Sequence, residues 1–387
     1  MRAALAALAA LACVGTAGAS SDAGLPALPK AWPKTLQVGA ADAPGGAAAL
    51  RRVAPFGFRY QYLAGGVNTG SGWSTWNPDG AFASMYARDS WAHGTVPVLT
   101  YYMLLQSSPR AGDEARTDLT HLRDAALMRA YWDDVRLLFA RVRGVKPVVV
   151  HVEPDLWGYL EQANETALAS SFAKQWLALR DTLAPNVILA WHLSMWGTKH
   201  DIVYEDPPDA RVRAHATQSA RWYRSLGARF DVAFGEFSDR DAGFKAKIDG
   251  NPRTWFTPAD FHRQLLYMDT FVRAAGVRMV LWQIPLGNTR MRALNNEWNH
   301  FQDNRVEWLF GGSRAHLQAY AGAGVAAFLF GRGADGATCA CDAAKDGVTN
   351  PAPIDGNSRQ SLSADDDGGY FKERVRLYYR GGALRLP

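Results

Sequence analysis

Cysteine is scarce in this chain, with three residues in 387, at positions 13, 339 and 341. Cys339 and Cys341 could close a small, strained disulfide in an exported protein, but no His/Cys set nearby supports a metal site. Nothing after the first 19 residues is apolar enough to span a membrane. The formal charge is +5, yet there is no Lys/Arg-rich run of the kind that marks a nucleic-acid or membrane-surface patch. The Gly-x-Gly-x-x-Gly run of a dinucleotide fold is missing: Gly66 to Gly72 is rich in glycine, but neither its spacing nor a following helix start makes a phosphate cradle. His151 and His192 each alternate with apolar neighbours and have no metal-spaced partners, so both read as core or supporting residues. No metal and no cofactor is expected, and no internal repeat is present.

Aromatics, by contrast, are plentiful: 14 Trp, 14 Tyr and 17 Phe. Tryptophan presents a wide π-face with one polar handle, so it serves either a large core or a stacking surface. Position along the chain has to separate the two.

The N-terminus reads as an export signal. Met1-Arg2 is a charged start, Ala3 to Val14 an apolar core, and Ala17-Gly-Ala19 a small-residue cleavage site before Ser20. Cys13 raises lipid attachment as a rival and would tie the chain to a membrane, although Ala10 stands where a bulky aliphatic is usual. The expected location is secreted or periplasmic. Residues 20–52, rich in Ala, Pro and Gly, read as an N-terminal arm or linker, and 53–387 as one catalytic domain.

Seven hydrophobic strands alternate with helices beyond residue 55. The strands are Phe56 to Leu63, Val96 to Leu105, Val148 to Val152, Val187 to Ser194, Phe230 to Gly235, a sixth opening at Arg278, and Val325 to Phe330. Helical spacing marks 81–92, 117–143, 165–184, 210–226, 257–275, 306–310 and 370–379. Asn164, in a glycosylation-like Asn-Glu-Thr, reads as a helix cap. Strict alternation predicts a parallel sheet wrapped by helices. At this length that means an α/β, TIM-like (β/α) barrel, distorted and with seven strands.

Catalytic groups of such barrels sit at the C-terminal strand ends. Those ends hold Trp73, Trp76 and Gln106, then Glu153, Asp155 and Trp157, then Trp196, then Glu236 and Asp239. Trp282, Gln283, Asn288 and Arg332 complete the rim. Indole rings stack on sugar C–H faces, amides and Arg pair with hydroxyls, and two carboxyls do the chemistry. The pattern predicts a polysaccharide or oligosaccharide partner, and a monomer.

The third strand end, Val149-Val-His-Val-Glu-Pro-Asp-Leu156, resembles a signature of glycoside hydrolase family 6, the inverting cellulases. That family has a distorted seven-stranded barrel, and the Asp of its Glu-Pro-Asp is the general acid. The resemblance implies that Asp155 protonates the glycosidic oxygen. It covers roughly ten residues and the architecture. The family's second strand ends in an Asp-rich, Cys-containing loop, where this chain has Tyr101-Tyr-Met-Leu-Leu-Gln106-Ser-Ser. Its late strand end bearing Lys, Glu and Asp is not matched by Trp282 to Asn288, and Trp157 replaces a smaller aliphatic.

The expected reaction is hydrolysis of glycosidic bonds with inversion. Asp155 would be the acid, its pKa raised by Trp157 and by the charge of Glu153, and Glu236, or failing that Asp239, would be the base. Glu153 itself reads equally well as a structural acid. The rivals are a non-catalytic carbohydrate-binding barrel and a polysaccharide lyase with Tyr102 as base and Arg332 on a uronate. An esterase is disfavoured, because Ser194 lacks the Gly-x-Ser-x-Gly frame.

Overall fold

The computed structural model describes residues 24–237, 241–247, 250, 255–289, 301–331 and 369–387. The export signal with Cys13, the candidates Asp239 and Arg332, and Cys339 and Cys341 lie outside these residues.

Eight parallel strands close into a barrel: β1 Gln37–Ala41, β2 Phe58–Leu63, β3 Val96–Tyr101, β4 Val148–Val152, β5 Val187–Leu193, β6 Val232–Glu236, β7 Met279–Ile284 and β8 Val325–Phe330. Each strand pairs with the next in sequence, and β1 closes the ring on β8 through Gln37 opposite Ala327 to Ala40 opposite Phe330. Fully closed parallel sheets leave no edge, and the helices on the outside bury the strands' outer face. Every residue of β3 beyond its first, and all of β4, β5, β7 and β8, is buried.

The eighth strand corrects the sequence reading. Residues 37–41 belong to the barrel, not to an arm, and the helix Ala47–Val53 follows them. Gln-Val-Gly-Ala-Ala has none of the β-branched run that marked the other strands. Its small residues are there for space: a Cβ on Gly39 would stand 2.5 Å from Leu329 and 2.8 Å from Phe58. Asn164 also differs from expectation. It has φ +57°, and Glu165 rather than Asn164 precedes the helix Thr166–Leu183.

Both ends of the described chain fasten to the N-terminal face of the barrel. The backbone N–H groups of Leu36 and Leu386 donate to the carbonyls of Leu384 and Lys34, respectively. Arg278, just before β7, donates to the carbonyls of Pro26 and Pro387 at 2.5 Å each. The opposite face is left open for a site.

Inside the barrel a block of rings fills the middle. His151 of β4 lies 4.5 Å from Phe234 and 4.6 Å from Trp282, centre to centre, and Trp282 also meets Tyr60 and Tyr62. This is the packed interior that such barrels require. Among the described residues no helix is long and apolar enough to cross a membrane.

Candidate active site

The turn after β4 is unusual backbone. Glu153 has φ +41° and Asp155 has φ +69°, with Pro154 between them. Side chains other than glycine rarely adopt this region, and its strain collects at sites where surrounding packing holds it. The helix Leu156–Gln162 starts at once, anchored by Trp157, whose indole donates to the Val152 carbonyl at 2.9 Å. A Cβ on Gly158 would fall 2.6 Å from Ser194 and from Trp196, so only glycine lets this helix meet the segment after β5.

The kink sends the two acids in different directions. Glu153 is buried, and its carboxyl accepts from the backbone N–H of Met103 and Leu104 at 3.1–3.3 Å. Burial pushes its pKa up to about 8, against the partly offsetting influence of the Tyr131 hydroxyl and those two amides. It is therefore protonated at neutral pH and braces the turn after β3. Asp155 instead lines an open cleft of about 570 Å³ at the C-terminal end of the barrel. Its charge acts on the phenols of Tyr62, Tyr102 and Tyr159, all of them raised chiefly by burial. Of the two acids, Glu153 is buried and Asp155 half-buried.

Glu236, the last residue of β6, lines the same cleft, as do Trp196, Trp282 and Gln283. The β4, β5 and β6 strands are consecutive neighbours. Two steps of about 4.8 Å put the β4 and β6 backbones roughly 10 Å apart, with side chains free to converge. Gln283, with φ +53°, donates to the Tyr62 hydroxyl and holds that ring against the wall.

Other expected rim residues sit elsewhere. Trp73 is buried and donates to Asp134 at 2.7 Å, so it plugs the core under the first loop. Trp157 is buried among Phe172, Trp191 and Phe230 and does not line the cleft. Trp76 is 43% exposed and lies over Phe82, bonded to the Ser71 carbonyl. Gln106 accepts from the Gly65 amide and braces the glycine loop, and Asn288 is buried outside the cleft lining.

Conversely, the cleft includes Tyr62, Glu114, Tyr159, Lys245 and Phe256, none of which the sequence singled out as site residues. Tyr62 is the last residue but one of β2 and could have been found by reading that strand's own end. Glu114 begins a helix thirteen residues beyond β3 and carries no comparable signal. Among the described residues no group of three or more His, Cys, Asp or Glu side chains is placed to hold a metal ion.

The molecule is thus an eight-stranded α/β barrel with carboxylates and aromatic rings gathered at its C-terminal mouth. No protein-family sequence profile matches the chain, and no curated protein matches it. Solved structures are similar in fold. One is a Cellulomonas fimi endo-beta-1,4-mannanase double mutant, with a TM-score of 0.52 and 13% identity, covering 89% of this chain and 70% of that one. Another is a GH5 xyloglucan-specific beta-1,4-glucanase from a ruminal metagenomic library, in complex with XXLG, with a TM-score of 0.50 and 11% identity, covering 89% of each chain. The fold is of the kind that glycoside hydrolases use. The second of these is a family 5 enzyme, not a family 6 one, and the eighth strand removes the seven-strand count that the family 6 resemblance leaned on.

Proposed function

We propose that this chain is an exported glycoside hydrolase that cleaves a polysaccharide or oligosaccharide by means of Asp155 and Glu236. The observation that carries the reading is that these two carboxylates line one cleft of about 570 Å³ together with Trp196, Trp282 and four tyrosines. A concave site of this size with ring faces and a few polar groups suits a chain of sugars, whose apolar faces stack while hydroxyls bond to acids and amides.

In this mechanism Asp155 donates its proton to the glycosidic oxygen as the bond to the anomeric carbon breaks. Glu236 takes a proton from a water molecule on the opposite face of the sugar, and that water's oxygen bonds to the anomeric carbon. One intervening strand leaves a separation compatible with the roughly 6.5–9.5 Å of inverting enzymes. The lyase alternative asks for a tyrosine that ionises easily. Tyr102 is the reverse: burial, reinforced by the nearby charges of Asp155 and Glu114, holds its proton on.

The test is a reducing-sugar screen of the purified protein over plant, bacterial and fungal polysaccharides, repeated with Asp155→Asn. Turnover that disappears in the variant while binding persists supports the hydrolase. Binding without turnover in the parent protein would instead make it a carbohydrate-binding barrel.

A further inference from the structure

The cleft does not stop at its own rim. Beyond β6 it meets a shallow depression of about 10 Å³, walled in part by Val203, Tyr204, Lys245 and Phe256. Those four residues also line the cleft, so the two hollows form one continuous surface. A volume of about 10 Å³ holds one water molecule at most, so the depression is no separate binding pocket. What it adds is Trp255, which borders it and stands outside the cleft lining. Trp255 is 41% exposed, whereas Trp157 and Trp282 are buried. An indole left this open hides little apolar surface, so packing alone does not account for its placement.

The backbone that presents the ring is held from several sides. Asn304 clamps the next residue, Phe256, twice: its Nδ2 donates to the Phe256 carbonyl at 2.8 Å, and its Oδ1 accepts from the Phe256 amide at 3.2 Å. The buried guanidinium of Arg305 lies 4.0 Å from the Phe256 ring, which Phe237 and Phe261 also flank. Thr257 then caps the helix Pro258–Ala275 in a reciprocal pair with Asp260. A ring carried on anchored backbone loses little freedom when a ligand covers it. Its wide face suits the apolar C–H face of a sugar.

Building on the carbohydrate reading of the cleft, we propose that Trp255 is a distal platform for a sugar chain. One part of the chain lies beside Asp155, Glu236 and Trp196, and an outlying unit stacks on the Trp255 indole. Tyr204 and Phe256, which belong to both hollows, line the path between the two. Stacking on C–H faces asks for no charge, so the ligand class is a neutral hexose oligomer or polymer. Length decides the contact: a disaccharide seated at the carboxylates stops short of Trp255, and a longer chain reaches it.

The experiment is a calorimetric titration of the parent protein, Trp255→Ala and Trp255→Phe with glucose and mannose oligomers, from dimer to hexamer. The expected result is hexamer binding weakened about tenfold in Trp255→Ala, dimer binding unchanged, and most of the loss restored in Trp255→Phe. Trp255 is exposed, so the variants should fold, which their melting temperatures check. A second reading needs no loss of the ring: in the parent, the Trp255 indole N–H resonance should shift with the hexamer and stay in place with the dimer. Hexamer affinity unchanged in Trp255→Ala, or an equal loss for dimer and hexamer, overturns the platform and leaves the hydrolase reading intact. Failure of the parent to bind either hexamer also overturns it, and the hydrolase reading then stands or falls on the polysaccharide screen with Asp155→Asn.

Discussion

His151 and His192 share a single hydrogen bond, Nε2 to Nδ1 at 3.0 Å, in the middle of the barrel and edge-on to Trp282. Both imidazoles are buried. Burial lowers the pKa of His192 to about 3 and holds His151 well below its ordinary value, with the neighbouring ring adding to the effect on His151. A neutral pair needs one donor and one acceptor along that bond, so it fixes a tautomer and a ring orientation beneath a cleft residue.

The first prediction concerns this pair. Nitrogen-detected NMR of imidazole-labelled protein should find both rings neutral down to about pH 5, and a ring titrating near 6.5 would remove the account. Stability follows with a definite sign. Between about 3 and 6.5 the unfolded chain binds a proton at His192 that the folded one does not. Unfolding free energy therefore rises with pH across that window, and acid below 6.5 weakens the fold.

Glu153 has the opposite sign. Its folded pKa is about 8 against an ordinary 4.5, so between those values only the folded state holds the proton. Its contribution to stability falls as pH rises through that window, by about 1.4 kcal/mol per unit at most. Glu153→Gln keeps an acceptor for Met103 and Leu104 and cannot ionise. Urea denaturation should find the variant near parity at pH 5 and more stable than the parent at pH 9. Glu153→Ala strands both amides and should cost about 1–3 kcal/mol for each one left without a partner.

The two visible acids are separable from this brace by kinetics. Asp155→Asn and Glu236→Gln should each lower turnover by about 10²–10⁴-fold while leaving oligosaccharide affinity near the parent value. Anomer-resolved NMR of fresh product should record the inverted anomer. Retention would require a different role for Glu236.

Tryptophans at strand ends divide into two kinds, and the division is testable. Trp157→Ala empties a fully buried site and should cost about 3–5 kcal/mol, read as a lowered melting temperature. Trp196→Ala removes a ring from the cleft wall and should weaken sugar binding with little thermal change. If Trp157→Ala weakened binding with no loss of stability, the assignment of the two residues would be reversed.

These cases also mark how far the sequence could be read. The β-branched run Val148 to Val152 and the apolar run Val325 to Phe330 are strands with the very bounds expected, because burial on both faces demands apolar residues without interruption. The β1 strand escaped notice because close packing at Gly39 favours small side chains, which look like a linker. Strand order placed Asp155, Glu236, Trp196 and Trp282 at one mouth, since parallel strands all end on the same face. It could not tell Trp157 from Trp196, or Glu153 from Asp155. The second difference comes from a backbone turn of positive φ at both acids, which decides which carboxyl enters the wall and which enters the cleft. Glu114 reaches the cleft from a helix with no strand end to announce it.

The guanidinium of Arg278 grips the carbonyls of Pro26 and Pro387 on the face away from the cleft. Two distant stretches of the polypeptide are thereby brought side by side at the foot of the barrel. A tether attached beside Pro387 would hold the protein on a bead or an electrode with its mouth turned outward to a long polymer.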